Sequence, residues 1–231
     1  FKNIIINGDM SIAQRGTSFS SISSGNGTYP VDRFRLNLGT AGTWTVSQDT
    51  TTPTGQGFSK SIKMDCTTAN GSLSAGSFIL VQQLIEGQNL QYLKKGTSSA
   101  QQLTLSFHIK ATVTGTYIAE LFDTDNSRQV SKTYTVNSSN TWEYKTITFP
   151  ADTTGAFNND NDVSLDLSLY LTAGSNFTSG TLNTTWNSNT NANRAVGQVN
   201  ALASANDLVQ FTGIQLEAGS QASDFEFLPH D

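Results

Sequence analysis

The segment Val163-Ser-Leu-Asp-Leu-Ser-Leu-Tyr-Leu171 alternates strictly between an aliphatic side chain and a more polar one. The segment Leu103-Thr-Leu-Ser-Phe-His-Ile-Lys110 repeats this alternation. Because successive side chains of a β-strand point to opposite faces of the sheet, both segments are predicted to be strands with one face in a core. Tyr170 and His108 then belong to the solvent-facing sides. The side chains expected to be almost fully buried between two sheets are Leu105, Phe107, Leu167 and Leu169.

Shorter segments with the same period occur along the rest of the chain. They are Lys2–Ile6, Asp32–Asn37, Thr43–Gln48, Ser59–Cys66, Ser77–Ile85, Tyr117–Phe122, Lys132–Val136, Tyr144–Phe149 and Leu208–Leu216. About eleven strands separated by polar turns predict an all-β fold, a sandwich of two antiparallel sheets. The one short helical segment is expected at Gly87–Gly96, where two lysines precede a terminal glycine.

One candidate strand has an internal conflict of period. Trp142 and Tyr144 share one parity, whereas the apolar Ile147 and Phe149 share the other. A bulge inserts one extra residue and thereby reverses the parity of the residues after it. The sequence therefore predicts a β-bulge near Lys145.

The composition excludes several classes of protein. The 231 residues contain 13 Lys and Arg against 18 Asp and Glu, and this acidic balance argues against a nucleic-acid partner. The single cysteine, Cys66, cannot form a disulfide within the chain. No run of 18 apolar residues is present, which argues against membrane insertion by a helix. No linker divides two cores, so residues 1–231 are expected to form one domain.

Catalytic, metal-binding and cofactor-binding patterns are weak. The two histidines, His108 and His230, are far apart in the sequence, and no Gly-x-Ser-x-Gly motif is present. Asp123–Ser127 and Asn158–Asp162 alternate oxygen-bearing side chains as calcium loops do, but they lack the glycine and glutamate of an EF-hand. Such clusters are also ordinary turn formers. We therefore expect no catalytic residues, no metal site and no cofactor.

The longest segment without a core pattern is Thr172–Asn206, which is rich in Asn, Thr and Ser. Long loops on a rigid scaffold often carry recognition. Sugars present apolar C–H faces between hydroxyl groups, so flat aromatic rings beside amides suit them. If the protein binds a glycan, the expected site residues are Trp186, Phe177, Tyr170, Asn187, Asn189, Asn191 and Arg194. The alternative is that Trp186 and Phe177 only anchor the loop onto the sandwich.

Two terminal segments resemble a domain of phage tail-fibre and related virion proteins. The opening segment is Asn3-Ile-Ile-Ile-Asn-Gly-Asp-Met-Ser-Ile-Ala-Gln-Arg-Gly16, followed by Val31-Asp-Arg-Phe34. The closing segment is Phe211-Thr-Gly-Ile-Gln-Leu-Glu-Ala-Gly-Ser-Gln-Ala-Ser-Asp-Phe-Glu226. Middle segments such as Asn193-Arg-Ala-Val-Gly197 fit the same pattern, so the resemblance extends over nearly the whole chain.

The resemblance implies a jelly-roll sandwich similar to carbohydrate-binding modules, placed distally on a virion fibre that is a homotrimer. Since the chain begins with Phe1, it is expected to be the C-terminal part of a longer fibre protein. In such a fold Lys2–Ile6 and Leu208–Leu216 are expected to be neighbours, with Glu217 accepting hydrogen bonds from the opening segment.

The leading hypothesis is a non-enzymatic receptor-binding domain of a tail fibre that recognises host cell-surface glycan. Its partners are then that glycan and other virion proteins, and its location is the virion. Two alternatives stay open: a purely structural fibre or capsid-decoration module, and an accessory carbohydrate-binding module of a secreted glycosidase.

Overall fold

The computed structural model describes residues 2–227, so His230 lies outside the described residues. The strands of this part are β1 (Ser18–Ile22), β2 (Gly25–Val31), β3 (Phe34–Gly39), β4 (Thr43–Asp49), β5 (Ser61–Thr68), β6 (Phe78–Glu86), β7 (Leu103–Ala111), β8 (Gly115–Asp123), β9 (Arg128–Val136), β10 (Glu143–Phe149), β11 (Val163–Ala173), β12 (Asn187–Ser188) and β13 (Leu208–Ala218). One short α-helix, α1 (Ser175–Thr178), follows β11. None of the helices in this described part is long and apolar enough to cross a membrane.

The strands form two antiparallel sheets that face each other across one core. The six-stranded sheet has the order β1-β4-β5-β13-β7-β10, and the seven-stranded sheet has the order β12-β9-β8-β11-β6-β3-β2. Side chains of alternating strand residues from both sheets fill the space between them. The expected all-β sandwich with one short helix is confirmed. Also confirmed is the burial of four core side chains, which are 0–1% exposed: Leu105, Phe107, Leu167 and Leu169.

The two ends of the described chain meet beside β13, as expected. The Ile4 amide donates a hydrogen bond of 2.8 Å to the carbonyl oxygen of Leu216. The expectation for Glu217 is wrong, because its carboxylate accepts hydrogen bonds from Ser223. Glu226 takes that role instead and accepts from the amides of Lys2 and Asn3, at 2.8 and 3.1 Å.

Several local predictions differ from the structure. Lys2–Ile6 forms no strand, since its contacts to β13 are one backbone hydrogen bond from Ile4 and hydrogen bonds of the Asn3 side chain rather than a ladder. The short helical segment expected at Gly87–Gly96 is present as two successive 3₁₀ helices, whereas the α-helix at Ser175–Thr178 was not expected. β1 and β2 were not expected, because β1 consists largely of exposed Ser residues and β2 begins with Gly-Asn-Gly-Thr, so neither has an apolar period.

The predicted bulge near Lys145 is also wrong. β10 pairs with β7 from Glu143 to Phe149 without a break in register. The conflict of parity arises because Tyr144 faces outward, opposite His108, and is 51% exposed. An aromatic ring on the outer face of a sheet breaks the rule that apolar side chains face the core.

Candidate functional site

The long loop, residues 174–207, lies over the outer face of the seven-stranded sheet, the face turned away from the core. Phe177 in α1 packs edge-on against Phe78 of β6, with ring centroids 5.6 Å apart. Tyr170 of β11 and Ala195 of the loop join the same small apolar cluster. Tyr170 therefore has the predicted outward parity, but the prediction that solvent wets it is wrong: it is 1% exposed because the loop covers it.

A row of polar side chains crosses this outer face from β3 through β6 to β11. Gln82 lies at its centre, and its amide nitrogen donates to Asp166 and to Ser168, both at 2.8 Å. Its amide oxygen accepts from the Arg35 Nε at 3.1 Å and from the Asn37 amide at 2.9 Å. The orientation of Gln82 is thus fixed from both sides. These hydrogen bonds keep the polar side chains of the row in one arrangement.

Asp166 is the buried end of this polar row. Burial raises the pKa of Asp166 to about 7, and the nearby carboxylate of Glu120 adds to the rise. The positive charge of Arg35 acts in the opposite direction. Near neutral pH this carboxyl group therefore exists in both protonation states, and a protonated form can donate a hydrogen bond as well as accept one.

A buried ion pair ties the loop to the sheet beside this row. Arg194 of the loop donates through Nε and a terminal nitrogen to Glu120 of β8, at 3.0 and 2.5 Å. Glu120 is fully buried. The Arg194 guanidinium also lies over the ring of Phe122, 5.2 Å from its centroid. The ion pair holds the loop against the sheet, and Arg194 forms part of the wall of a cleft beside it.

That cleft, the loop-side cleft, has a volume of about 370 Å³. Four residues predicted from the sequence line it: Tyr170, Phe177, Asn191 and Arg194. The strands add residues that sequence reasoning missed: Arg35 and Asn37 from β3, Phe78 and Gln82 from β6, Phe122 from β8 and Asp166 from β11. The sequence indicated these residues only weakly, through charged or amide side chains at outward-facing positions of strands that are otherwise strongly apolar.

The other three predicted residues lie away from the cleft. The Trp186 indole nitrogen donates to the carbonyl oxygen of Pro150 at 2.9 Å, and its ring packs against the main core. Asn187 belongs to β12, which pairs with β9. The backbone amide of Asn189 donates to the carbonyl oxygen of Ser127 at 2.8 Å, and the Asn189 side chain is exposed. Of the two roles left open for Trp186, its contacts are those of an anchor.

The two acidic segments that resemble calcium loops are engaged with protein groups. Asp123 contacts Lys95, which also lies 3.1 Å from Asp152. Asn158 donates through its backbone amide to Asp125 at 2.9 Å, which joins the two segments. Among residues 2–227 no group of three or more His, Cys, Asp or Glu side chains is arranged to hold a metal ion.

Comparison with known proteins gives matches among solved structures. No protein-family model and no curated protein matches the sequence. Similar structures include the enzymatically active domain of tailspike protein 4 from bacteriophage CBA120, with 13% identity and a TM-score of 0.48, over 94% of this chain and 21% of that chain. A putative sugar binding protein from Bacteroides thetaiotaomicron has 10% identity and a TM-score of 0.48, over 94% and 100% of the two chains.

A third similar structure is a family 11 carbohydrate-binding module from Clostridium thermocellum in complex with a β-1,3-1,4-mixed-linked tetrasaccharide. It has 11% identity and a TM-score of 0.42, over 90% of this chain and 99% of that chain. The chain thus spans about a fifth of the tailspike chain and nearly all of the other two.

Proposed function

We propose that this protein is a non-enzymatic glycan-binding domain and that the loop-side cleft is its site. The observation that carries the proposal is the pairing, in one cleft, of aromatic rings with a fixed row of amide and guanidinium groups. A sugar ring presents an apolar C–H face and an edge of hydroxyl groups. Phe177 and Phe78 suit the face, and Asn37 and Arg35 suit the hydroxyl groups.

The polar row favours binding because it is already ordered. Gln82 holds both Asn37 and Arg35 by hydrogen bonds, so few rotamers have to be fixed when a ligand arrives. Arg35 uses its Nε for Gln82, which leaves the terminal nitrogens of the guanidinium for a ligand. An amide and a guanidinium side by side match the two neighbouring hydroxyl groups of a sugar.

The charges of the cleft support a neutral ligand. Arg194 is matched by Glu120, and Arg35 lies close enough to Asp166 to affect its pKa. Arg35 is then the one cationic side chain of the cleft, among the described residues, without an ion pair, so at most one positive charge is left to attract an anion. Binding is therefore expected to be weak per site and nearly independent of salt concentration.

The carboxylates near the cleft support binding rather than hydrolysis. Glycoside hydrolysis needs one carboxyl group as acid and a second as base or nucleophile. Glu120 is fully buried and held by Arg194, and Asp166 accepts hydrogen bonds from Gln82 and Ser168. The two carboxylates therefore do not face each other across a cleft as an acid and a base would in a glycosidase.

The specific setting that we propose is the virion, where this domain is the receptor-binding part of a tail fibre. The support is the sequence resemblance of the opening and closing segments, Asn3–Gly16 and Phe211–Glu226. The ligand is then a host surface glycan, and the partners are other virion proteins. Display of three copies on a homotrimeric fibre raises the avidity of a weak site without new contacts.

A glycan array probed with this chain tests the proposal. Arg35→Ala and Asn37→Ala are expected to weaken binding of the selected glycan by roughly tenfold or more, about 1.4 kcal/mol. Asn187→Ala is the matched control, because it removes an exposed amide of the same loop outside the cleft. No bound glycan, or equal binding by all three variants, overturns the proposed site.

Two further readouts separate the alternatives. Incubation of the selected glycan with the protein is expected to release no product, and shortened chains would show an enzyme. The sequence of the full-length gene decides the setting: fibre segments before this domain support a virion protein, and a neighbouring catalytic domain supports an accessory module of a glycosidase.

A further inference from the structure

The outer face of the six-stranded sheet carries a second and larger cleft, the aromatic cleft, of about 530 Å³. Five aromatic rings of the described chain line it, and four of them succeed one another along it, with Phe225 packed against the last two. Ring centroids are 4.9 Å apart from Tyr144 to His108, 5.4 Å from His108 to Phe58 and 5.2 Å from Phe58 to Phe227. The rings at the two ends, Tyr144 and Phe227, are each 51% exposed. The cleft therefore offers two open aromatic surfaces with a buried centre.

Four separate parts of the chain bring these rings together. Tyr144 and His108 are opposite each other in the β10–β7 pairing. Phe58 comes from the loop before β5 and rests on Gly213, where the register of β13 shifts. A Cβ at position 213 would lie 2.5 Å from the Phe58 ring, and the φ of 63° also favours glycine. The backbone is thus shaped to seat an aromatic ring on the sheet.

The buried centre of the cleft contains an unsatisfied polar group. His108 is 9% exposed, and neither of its ring nitrogens has a hydrogen-bond partner within residues 2–227. Nδ1 is completely enclosed. Burial lowers the pKa of His108, so at neutral pH the ring offers one N–H donor and one acceptor nitrogen. Buried polar groups are nearly always paired, and an unpaired one indicates a missing partner.

The remaining lining residues indicate the chemistry of that partner. Ser106, Gln56 and Asp224 add a hydroxyl, an amide and a carboxylate, and no Lys or Arg lines the cleft among the described residues. An anionic ligand would meet one carboxylate and no cation. A neutral ring with hydroxyl groups satisfies every feature, because hydroxyl groups both donate and accept and the C–H faces cover aromatic rings.

We propose that the aromatic cleft is a second ligand site, which binds a neutral saccharide ring between Tyr144 and Phe227 with a hydroxyl group hydrogen-bonded to His108. Because Nδ1 is enclosed, binding at this site requires the half-exposed rings of Tyr144 and Phe227 to turn about their side-chain bonds when the ligand arrives. This site lies on the opposite sheet from the loop-side cleft, shares no residue with it and does not depend on the function proposed for it.

The test is an NMR titration of the labelled protein with methyl glycosides of glucose, galactose and mannose. At least one glycoside is expected to shift the ring signals of His108 and Tyr144 in a saturable manner. N-acetylneuraminic acid, which is anionic, is expected to leave them unchanged. Tyr144→Ala should abolish the saturable shift at His108. Tyr92→Ala, the matched control with a ring 50% exposed elsewhere, should retain it.

Asn37→Ala, in the loop-side cleft, should also retain the shift at His108, so failure of one site is distinguishable from failure of the other. The proposal is overturned if none of the three glycosides gives a saturable shift, or if Tyr144→Ala responds like the parent. It is equally overturned if the same signals move on dilution of the unliganded protein, since a second copy of the chain then fills the cleft.

Discussion

Burial of Asp166 should make the stability of the folded protein depend on pH. Its pKa is raised to about 7, chiefly by burial and then by the Glu120 carboxylate. An Asp side chain in an unfolded chain titrates near pH ~4. Between these values the folded state binds more protons than the unfolded state, so stability falls as the pH rises. We expect this group to lower the free energy of unfolding by up to about 1.4 kcal/mol per pH unit in that range.

Asp166→Asn should remove that slope, because an amide keeps the hydrogen bonds of the protonated acid without its titration. Urea unfolding of parent and variant across the range measures the difference between their slopes. Asp162→Asn, which changes an exposed carboxyl group, serves as the control. Parallel profiles for the parent and Asp166→Asn would show that Asp166 is not the titrating group.

Trp186 is expected to affect stability rather than binding. Its indole nitrogen donates to Pro150, its ring lies 5.2 Å from the Lys95 Nζ, and it packs against the main core. Trp186→Ala should lower the free energy of unfolding by roughly 2–4 kcal/mol, somewhat less than for a fully buried ring. Glycan binding should stay at the parental level, because the loop-side cleft does not include Trp186.

Denaturant unfolding and cell adsorption, measured on the same Trp186→Ala preparation, separate the two roles. A variant that unfolds like the parent but no longer adsorbs to cells would make Trp186 a binding residue after all.

At the level of the strands, period-2 alternation was a reliable guide to which face a residue occupies. It assigned Leu167 to the core and Tyr170 to the outer face, and both assignments hold. It could not show that Tyr170 is buried, because alternation within one strand says nothing about which loop covers its sheet. It also failed in β1 and β2, because β1 is mostly exposed and the first half of β2 is Gly-Asn-Gly-Thr, so neither has an apolar period.

Only four of the twelve residues that line the loop-side cleft in the described chain were predicted, for a related reason. Phe177, Asn191 and Arg194 stand in one long loop, and the length of that loop drew attention to them. Arg35, Gln82 and Asp166 are far apart in sequence and meet only because β3, β6 and β11 are neighbours in the sheet. Strand order is set by long-range pairing, so local patterns do not reveal it.

The β11 core face gives a direct test of the packing between the sheets. Leu167 is 1% exposed, and its neighbours come from both sheets. Leu167→Ala should lower the free energy of unfolding by about 2–5 kcal/mol, through lost transfer energy and the cavity that remains. Leu84→Ala, on the half-buried outer face of β6, should cost clearly less. Chemical denaturation of both variants measures this difference, and equal losses would contradict the assignment of faces.

For the whole molecule, the two ends of the described chain lie together beside β13 of the six-stranded sheet, where Glu226 holds the amides of Lys2 and Asn3. The C-terminal segment continues onto the outer face of that sheet, where Asp224 and Phe227 line the aromatic cleft. The loop-side cleft and the aromatic cleft then open on opposite outer faces. With the two proposed sites facing away from each other, one domain would contact a branched or multi-chain glycan from two sides. A copy fixed in a fibre would add to this avidity.

The last prediction concerns the number of copies in the assembled protein. Fibres of the proteins that this sequence resembles are trimers, and we expect the full-length protein to be a homotrimer. Only 13% of the residues are charged, so few Lys or Glu side chains have to be desolvated where copies touch. In the proposed virion setting, other parts of a fibre would supply association energy, so the intact protein rather than the 231-residue chain is the sample to measure. Light scattering on the intact fibre should give three times the mass of one chain, and a stable monomer or dimer would contradict the prediction.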